Sequence, residues 1–470
     1  MKRTLLRITV GVVAVLSISS AVARADVVLD WNAITVNTIA GQNPFAQARF
    51  AAITQAAVFE AVNAITADYE PYLGTITAPP GASAEAAAVA AAHAVLLNSF
   101  PDSAATLDAA RASSLAAIAD GQAKDDGIAV GGAAAAALIA ARASDGAAPP
   151  EFYAPASANP GEWQTTPGCP LGGGILLHWR NVTPFAIQSS DQFRSNPPPA
   201  LTSDQYRKDY DEVKRVGELN STERPQDRTD VARYFAVAVP AHLWNQAARQ
   251  VSEVQGKSLS ENAHAFALLN MAISDGLISV METKYHYVFW RPITAIPAGD
   301  TDGNPATDPD PTWAPLITTP CFPSYPSAHA AASYAARTVA ETIFGSDGHD
   351  ITLSNPGIPE VTLHYTTFSQ ITDDIDDARV YGGIHFRFDQ KAGARLGHSV
   401  GSFVLGVPLC AGDCDGGGTT TIDELISGVD IVLGTASLDG CPWFDASGDD
   451  QVTVDELIAA VSAVLNGCGE

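Results

Sequence analysis

The chain has 470 residues, of which 46% are apolar, and its 52 acidic against 26 basic side chains give a formal charge of −26. That length allows several average domains, or one large domain with an appendage, and the apolar share suffices for a sizeable core. So acidic a chain is a poor candidate for binding nucleic acid or anionic membrane.

Lys2, Arg3 and Arg7 precede an apolar run from Ile8 to Ile18, and Ala23-Arg24-Ala25 offers small residues at a cleavage spacing. Residues 1–25 therefore read as a secretory signal peptide, with an apolar run too short for a comfortable membrane span. Removing its four basic residues (Lys2, Arg3, Arg7, Arg24) leaves a charge of about −30. No later stretch reaches the roughly eighteen uninterrupted apolar residues of a span, so a secreted or periplasmic protein without a membrane span is expected. The six cysteines of an exported chain favour disulfides. Their placement suggests Cys169 with Cys321, and two bridges among Cys410, Cys414, Cys441 and Cys468.

From residue 26 to 408 the pattern is mostly helical. Apolar residues recur at three- and four-residue spacing over 45–68, 84–98, 103–120 and 125–143, the last three very rich in Ala. Residues 145–225 are rich in Pro, Gly, Ser and Thr and read as ordered loop. Two long helices are expected over 228–253 and 260–282, another Pro- and Asp-rich loop over 297–323, and the best strand signal over 360–366. The fold class is all-α with long connecting loops.

From Cys410 onward the composition shifts, with twelve acidic residues and no Lys, Arg or His. Residues 409–470 form a separate small α domain containing a repeat. Asp413 to Leu425 is echoed 32 residues later by Asp445 to Leu457, and each copy leads into an apolar-periodic helix. Oxygen side chains at the first, third, fifth, ninth and twelfth loop positions suit a calcium shell. The second copy supplies Asp445, Ser447, Asp449, Thr453 and Glu456. The first supplies Asp413, Asp415, Thr421 and Glu424, with Gly417 at the fifth position. Two acidic helix caps without metal are the plainer alternative. The tail resembles a dockerin-type pair of EF-hand-like calcium loops, which implies calcium and raises the question of a protein partner for the tail.

Three segments carry the chemistry: KYHYVFWRP (Lys284 to Pro292), PSAH (Pro326 to His329) and RVYGGIHFRFD (Arg379 to Asp389). On a helix, Lys284 and Arg291 lie almost two turns apart and share a face. Tyr285, Tyr287, Phe289 and Trp290 surround them and strengthen charge interactions by excluding water. His286 reads as a core or supporting histidine. Ser327 sits where an N-cap would, so the following helix start presents free N–H groups to an anion. There Ser327 Oγ and the Ala328 N–H can donate, and His329 can act as acid or base. Asp389, four residues after His385, can accept from Nδ1 and leave Nε2 as nucleophile or metal ligand. Together these groups suit a tetrahedral oxyanion held against an imidazole.

Lys-x6-Arg-Pro, Pro-Ser-x-His and Arg-x5-His-x3-Asp resemble the signature of the superfamily joining type-2 phosphatidic-acid phosphatases, bacterial acid phosphatases and vanadium-dependent haloperoxidases. The wider context, FWRPITAI, FPSYPSAHA and RVYGGIHFRFD, is most similar to the haloperoxidase branch. The resemblance covers about residues 30–405 and is specific from about Lys284 to Gly397. It implies an α-helical double-bundle fold. It also implies vanadate on Nε2 of His385, with Lys284, Arg291, Ser327, the Ala328 amide and Arg379 on its oxygens and His329 as acid–base. Halide would then be oxidised by hydrogen peroxide to hypohalous acid, which reaches a small organic acceptor. Ala328 departs from the Gly usual in the family, and Phe322 matches its chloroperoxidases rather than its bromoperoxidases. Two other readings stay open. One is an acid phosphatase in which His385 forms a phosphohistidine, since phosphate and vanadate share charge and shape. The other is an oxyanion-binding protein without turnover, against which the complete set of His329, His385 and Asp389 argues.

Overall fold

The computed structural model describes residues 26–414, 418–438, 441–447 and 451–468. The expected signal peptide and the loop positions Asp415, Gly417 and Asp449 lie outside the described residues.

Short polar residues start many of the helices. Asp26, Asn43 and Ser83 accept first-turn N–H groups and open α1 (Val27–Ile39), α2 (Pro44–Thr66) and α3 (Ala84–Ser99). Two further helices, α4 (Ala104–Ala116) and α5 (Gln122–Arg142), complete the Ala-rich region. α3 is buried along most of its length because Ala lets neighbouring backbones approach, and it lies against both α2 and α5.

The long loop expected over 145–225 contains a helix, α6 (Asp204–Val216), capped by Ser203. Its charged sequence hides an apolar stripe of Tyr206, Tyr210, Val213 and Val216, which is what it buries. The single helix expected over 228–253 is two, α7 (Gln226–Val237) and α8 (Pro240–Gln255). Pro240 offers no N–H to an i−4 carbonyl and disfavours helix at the residue before it, so the chain breaks and restarts there. α9 (Leu259–Tyr287) begins at a capping box built by Ser258 and Glu261 and runs through the core. It is the one described helix long and apolar enough to cross a membrane, but 89% of that stretch is buried inside the protein.

After a short α10 (Pro292–Ala295), the Pro-rich loop leads to α11 (Ala328–Phe344). A hairpin of β1 (Ile351–Ser354) and β2 (Thr362–Tyr365), paired antiparallel with Ile351 opposite Tyr365, precedes α12 (Phe368–Tyr381) and α13 (Arg387–Leu405). α9, α11 and α13 pack along one another. The α11–α13 approach is very close. A Cβ built on Gly397 would lie 2.2 Å from the Ala331 carbonyl oxygen, and one on Gly401 2.8 Å from that of Ala335. Only glycine fits along this seam. It brings the starts of the two helices together, where Ser327 N–H donates to the Asp389 carbonyl at 2.8 Å.

Two cores result. The larger joins the Ala-rich helices to α8, α9, α11 and α12. The smaller is aromatic and lies beside the motif segments, with Tyr206, Phe289, Trp290, Tyr325, Phe386 and Phe388. Disulfides join Cys169 to Cys321, Cys410 to Cys468 and Cys414 to Cys441. The first ties the long loop to the segment just before α11. The other two bracket a small core around Cys441, Phe444 and Ala460, beneath α14 (Ile422–Val432) and α15 (Val454–Asn466). Trp443 of this tail stacks on His398 of α13 at 3.9 Å, and Asn196 donates to the Ser447 carbonyl at 3.0 Å.

Candidate active site

Lys284 lies in the last turn of α9, but Arg291 does not share its helix. The helix ends at Tyr287, and Val288 adopts a left-handed conformation with φ of 51°. A β-branched residue there carries strain of about 1–3 kcal/mol. Its N–H donates to the Lys284 carbonyl at 2.8 Å and its carbonyl accepts from Trp163 N–H at 2.7 Å. Arg291 then stands extended before Pro292, which disfavours helix at the residue it follows. The shared helical face expected from the spacing is thus absent, and a turn delivers the guanidinium to the same place. His286, expected in the core or in support, is exposed.

The three cations are deeply buried: Lys284 and Arg291 are 0% exposed and Arg379 is 9% exposed. Backbone oxygens hold them. Lys284 Nζ donates to the carbonyls of Pro323 at 2.8 Å and Ser324 at 2.6 Å. Arg291 donates through Nε to Phe322 O at 2.9 Å and through Nη1 to Ile384 O at 2.8 Å, and Arg379 Nη1 donates to Phe235 O at 3.1 Å. The Phe322 ring lies 5.2 Å from both Lys284 Nζ and the Arg291 guanidinium carbon. Arg291 Nη2, Arg379 Nε and His329 Nε2 are buried with no hydrogen-bond partner, and Lys284 retains a third N–H.

His385 Nδ1 lies 2.7 Å from Asp389 Oδ2, and its Nε2 lies 3.0 Å from Arg291 Nη1. Arginine can only donate, so Nε2 carries the lone pair and Nδ1 the proton. Asp389 Oδ2 also accepts from Ser324 Oγ at 2.5 Å and Phe386 N at 3.2 Å. Ser327 caps α11 by accepting from Ala330 N–H at 3.3 Å, which leaves its own hydroxyl proton to donate. The Ala328 N–H lies in the same first turn, where no intrahelical acceptor exists. His329 meets the Phe235 ring edge-on at 6.0 Å. The structure thus gathers Lys284, Arg291, Arg379, His385 and Asp389 with the α11 start carrying Ser327, Ala328 and His329. Sequence reasoning passed over Ser324. The only available signal was that FPSYPSAH contains two serines.

Burial governs the titration of these groups. It pushes Lys284 well below its ordinary range, reinforced by Arg291, and lowers Arg291 to about 9 and Arg379 to about 10. Burial also pushes His385 well down, with Arg291, Lys284, Arg379 and His329 adding to it, and pushes His329 down with help from Arg379. Asp389 is raised to about 6 by burial, opposed first by the Ser324 hydrogen bond.

The tail places its residues differently. Glu424 and Glu456 serve in capping boxes with Thr421 and Thr453. The Asp413 carboxylate accepts from Gly418 N–H at 2.7 Å, Ser447 Oγ donates to Asp445 at 3.2 Å, and Arg395 of α13 approaches Asp445 at 3.8 Å. Among the described residues no group of three His, Cys, Asp or Glu is arranged to hold a metal ion.

A helical bundle that buries three cations around a histidine lone pair has the donors to hold an oxyanion. Comparison with known proteins narrows the class. Residues 264–407 match the family model described as the VCPO second helical-bundle domain. Vanadium chloroperoxidase of Curvularia inaequalis is 30% identical over 178 residues, which are 31% of this chain and 28% of that protein. The chain thus spans less than a third of the length of this curated relative. A bacterial vanadium-dependent iodoperoxidase structure superposes with a TM-score of 0.67 at 25% identity, over 81% of this chain and 95% of the other. A holo bacterial vanadium-dependent chloroperoxidase gives 0.60 at 18% identity, over 78% and 93%, and shares the fold. The segment that carries the cage thus matches the model of that helical-bundle domain, and the chain shares the helical fold of the vanadium haloperoxidase structures.

A histidine held neutral in the fold is protonated in the unfolded chain below about pH 6.5. The unfolded state then binds more protons, so stability falls as pH drops through that value. His329→Gln is expected to reduce the slope of unfolding free energy against pH by about 1.4 kcal/mol per pH unit between about pH 5 and 6. Asp389 titrates in the opposite sense in both proteins and cancels from the difference. Urea titrations without added oxyanion measure this, and an unchanged slope would mean that folded His329 is already protonated.

Proposed function

We propose that the chain is a vanadate-dependent haloperoxidase that oxidises halide with hydrogen peroxide to hypohalous acid, for transfer to a small organic acceptor. The observation that carries the reading is the cage of three buried cations. Its unpartnered donors Arg291 Nη2 and Arg379 Nε, with the unpartnered His329 Nε2, sit with a His385 Nε2 lone pair whose tautomer Asp389 holds. Buried charge without a counter-charge is costly, by several kcal/mol per ion, and a tetrahedral oxyanion offsets that cost. The donors therefore fit vanadate.

In this reading Lys284, Arg291 and Arg379 hold the oxyanion charge, and Ser327 Oγ and the Ala328 N–H donate from the α11 start, where the helix dipole adds to them. His385 Nε2 would ligate the vanadium, and Asp389 keeps the proton on Nδ1. Bound vanadate supplies a Lewis-acidic centre that activates peroxide toward halide. His329, neutral and with Nε2 unpartnered, could take the proton that hydrogen peroxide gives up. The aromatic core and Phe322 limit water around the cations.

The purified protein, given orthovanadate, peroxide and bromide, is expected to halogenate a phenol dye, with activity falling at least about 100-fold in His385→Ala. Hydrolysis of p-nitrophenyl phosphate blocked by vanadate, without halogenation, would instead favour the phosphatase.

We further propose export to the periplasm or medium after loss of residues 1–25, a catalytic domain over 26–408 and a calcium-binding tail over 409–470. Three disulfides among the described residues accord with an oxidising compartment. In the tail, the Asp413 and Asp445 carboxylates stand at the heads of the two loops and are 3% and 1% exposed. Asp413, Asp415, Thr421 and Glu424 would serve one loop, and Asp445, Ser447, Asp449, Thr453 and Glu456 the other. α14 and α15 expose Ile422, Ile426, Val429 and Leu433, and Val454, Ile458, Val461 and Leu465 in the same register, which suits a protein partner. Calorimetric titration of the full chain is expected to show calcium binding that weakens in Asp445→Ala. No heat on titration, and no change in melting temperature with chelator, would contradict this.

A further inference from the structure

We propose that Ser324 is a positioning residue, the joint that holds the His385–Asp389 pair and Lys284 in one frame. The proposal rests on the vanadate reading and adds to it a residue outside the three recognised motifs.

Ser324 is 0% exposed and uses all of its polar groups inside the site. Its N–H donates to Phe289 O at 2.9 Å, which fixes it to the strained turn after α9. Its carbonyl accepts from Lys284 Nζ at 2.6 Å, and its hydroxyl donates to Asp389 Oδ2 at 2.5 Å. Backbone and side chain of one residue therefore reach both a cage cation and the carboxylate behind His385.

The Asp389 geometry shows why the hydroxyl matters. Oδ2 collects donors from Ser324 Oγ, His385 Nδ1 and Phe386 N, while Oδ1 is buried without a partner. With every donor on one oxygen, the orientation of the carboxylate depends on those three. Ser324 Oγ lies 3.4 Å from His385 Nδ1, so its single proton is committed to Asp389 over the shorter contact. Deleting the hydroxyl leaves Oδ2 with two donors and a carboxylate freer to turn, and the Nδ1 proton loses a fixed acceptor. The backbone carbonyl that holds Lys284 stays, so Ser324→Ala isolates the histidine arm of the frame.

Partners that orient a metal-ligating histidine are typically worth about 10–100-fold in metal affinity. In Ser324→Ala the dissociation constant for orthovanadate is expected to rise by about that factor, with KM for peroxide unchanged. In the vanadate-free full chain labelled with 15N-histidine, the hydrogen-bonded Nδ1–H resonance of His385 should move toward the position of a weaker bond. Ser324→Thr, which keeps the hydroxyl, should retain the wild-type resonance and affinity. In an Asp389→Asn background, Ser324→Ala should add no further loss, because the serine acts through the carboxylate. Wild-type affinity with an unmoved Nδ1 resonance in Ser324→Ala would overturn the proposal, and so would equal losses in the Ala and Thr variants. Failure of the wild type to bind vanadate would count against the functional reading, while the resonance would still decide the role of Ser324.

Discussion

Lys284, Arg291 and Arg379 are buried around one carboxylate, Asp389, and that imbalance is the constraint on which the rest of the site depends. Cations removed from water need backbone oxygens, a counter-charge, or both. Carbonyls of Phe322, Pro323, Ser324, Ile384 and Phe235 supply the first, and they come from the Pro-rich loop before α11, the turn before α13 and α7. One carboxylate covers only part of the second. The remaining positive charge would let a chain of net charge −26 select an oxyanion at one buried point. It also explains why His329 and His385 stay neutral, since burial and the surrounding cations both oppose their protonation.

Helix packing turns that charge into a shaped site. Gly397 and Gly401 let α13 lie against the Ala331 and Ala335 backbone of α11, and the seam ends where Ser327 N–H meets the Asp389 carbonyl. Both helix starts therefore lie together, one bringing Ser327, Ala328 and His329, the other carrying Asp389 just after His385. α9 enters from the opposite direction and contributes Lys284 by its final turn. The left-handed Val288 lets the chain leave α9 quickly enough to return Arg291 to the same place.

Much of this was legible in the chain. The three motifs name the cage residues because each needs a particular donor type, and Ala-rich periodicity marks the bundle. Other features were hidden for physical reasons. A seven-residue spacing cannot tell a shared helical face from a helix followed by a turn, and Pro292 was the available hint that Arg291 stands outside the helix. α6 escaped notice because charged residues dominate its composition while four apolar positions carry its burial. The break at Pro240 was readable, yet apolar periodicity on both sides masked it. Ser324 was invisible because its importance comes from contacts with residues 40 and 65 positions away in the chain. In the tail, the repeated loop pattern was plain, whereas the reach of Arg395 toward Asp445 belongs to tertiary structure alone.

The central claim is that the cage holds a vanadium oxyanion against His385 rather than serving as a structural knot of charges. Crystals soaked with orthovanadate and measured at the vanadium absorption edge test it most directly. One strong anomalous peak is expected within bonding reach of His385 Nε2, surrounded by Lys284, Arg291 and Arg379. An empty cage, with vanadium found only on surface side chains or nowhere, would contradict it.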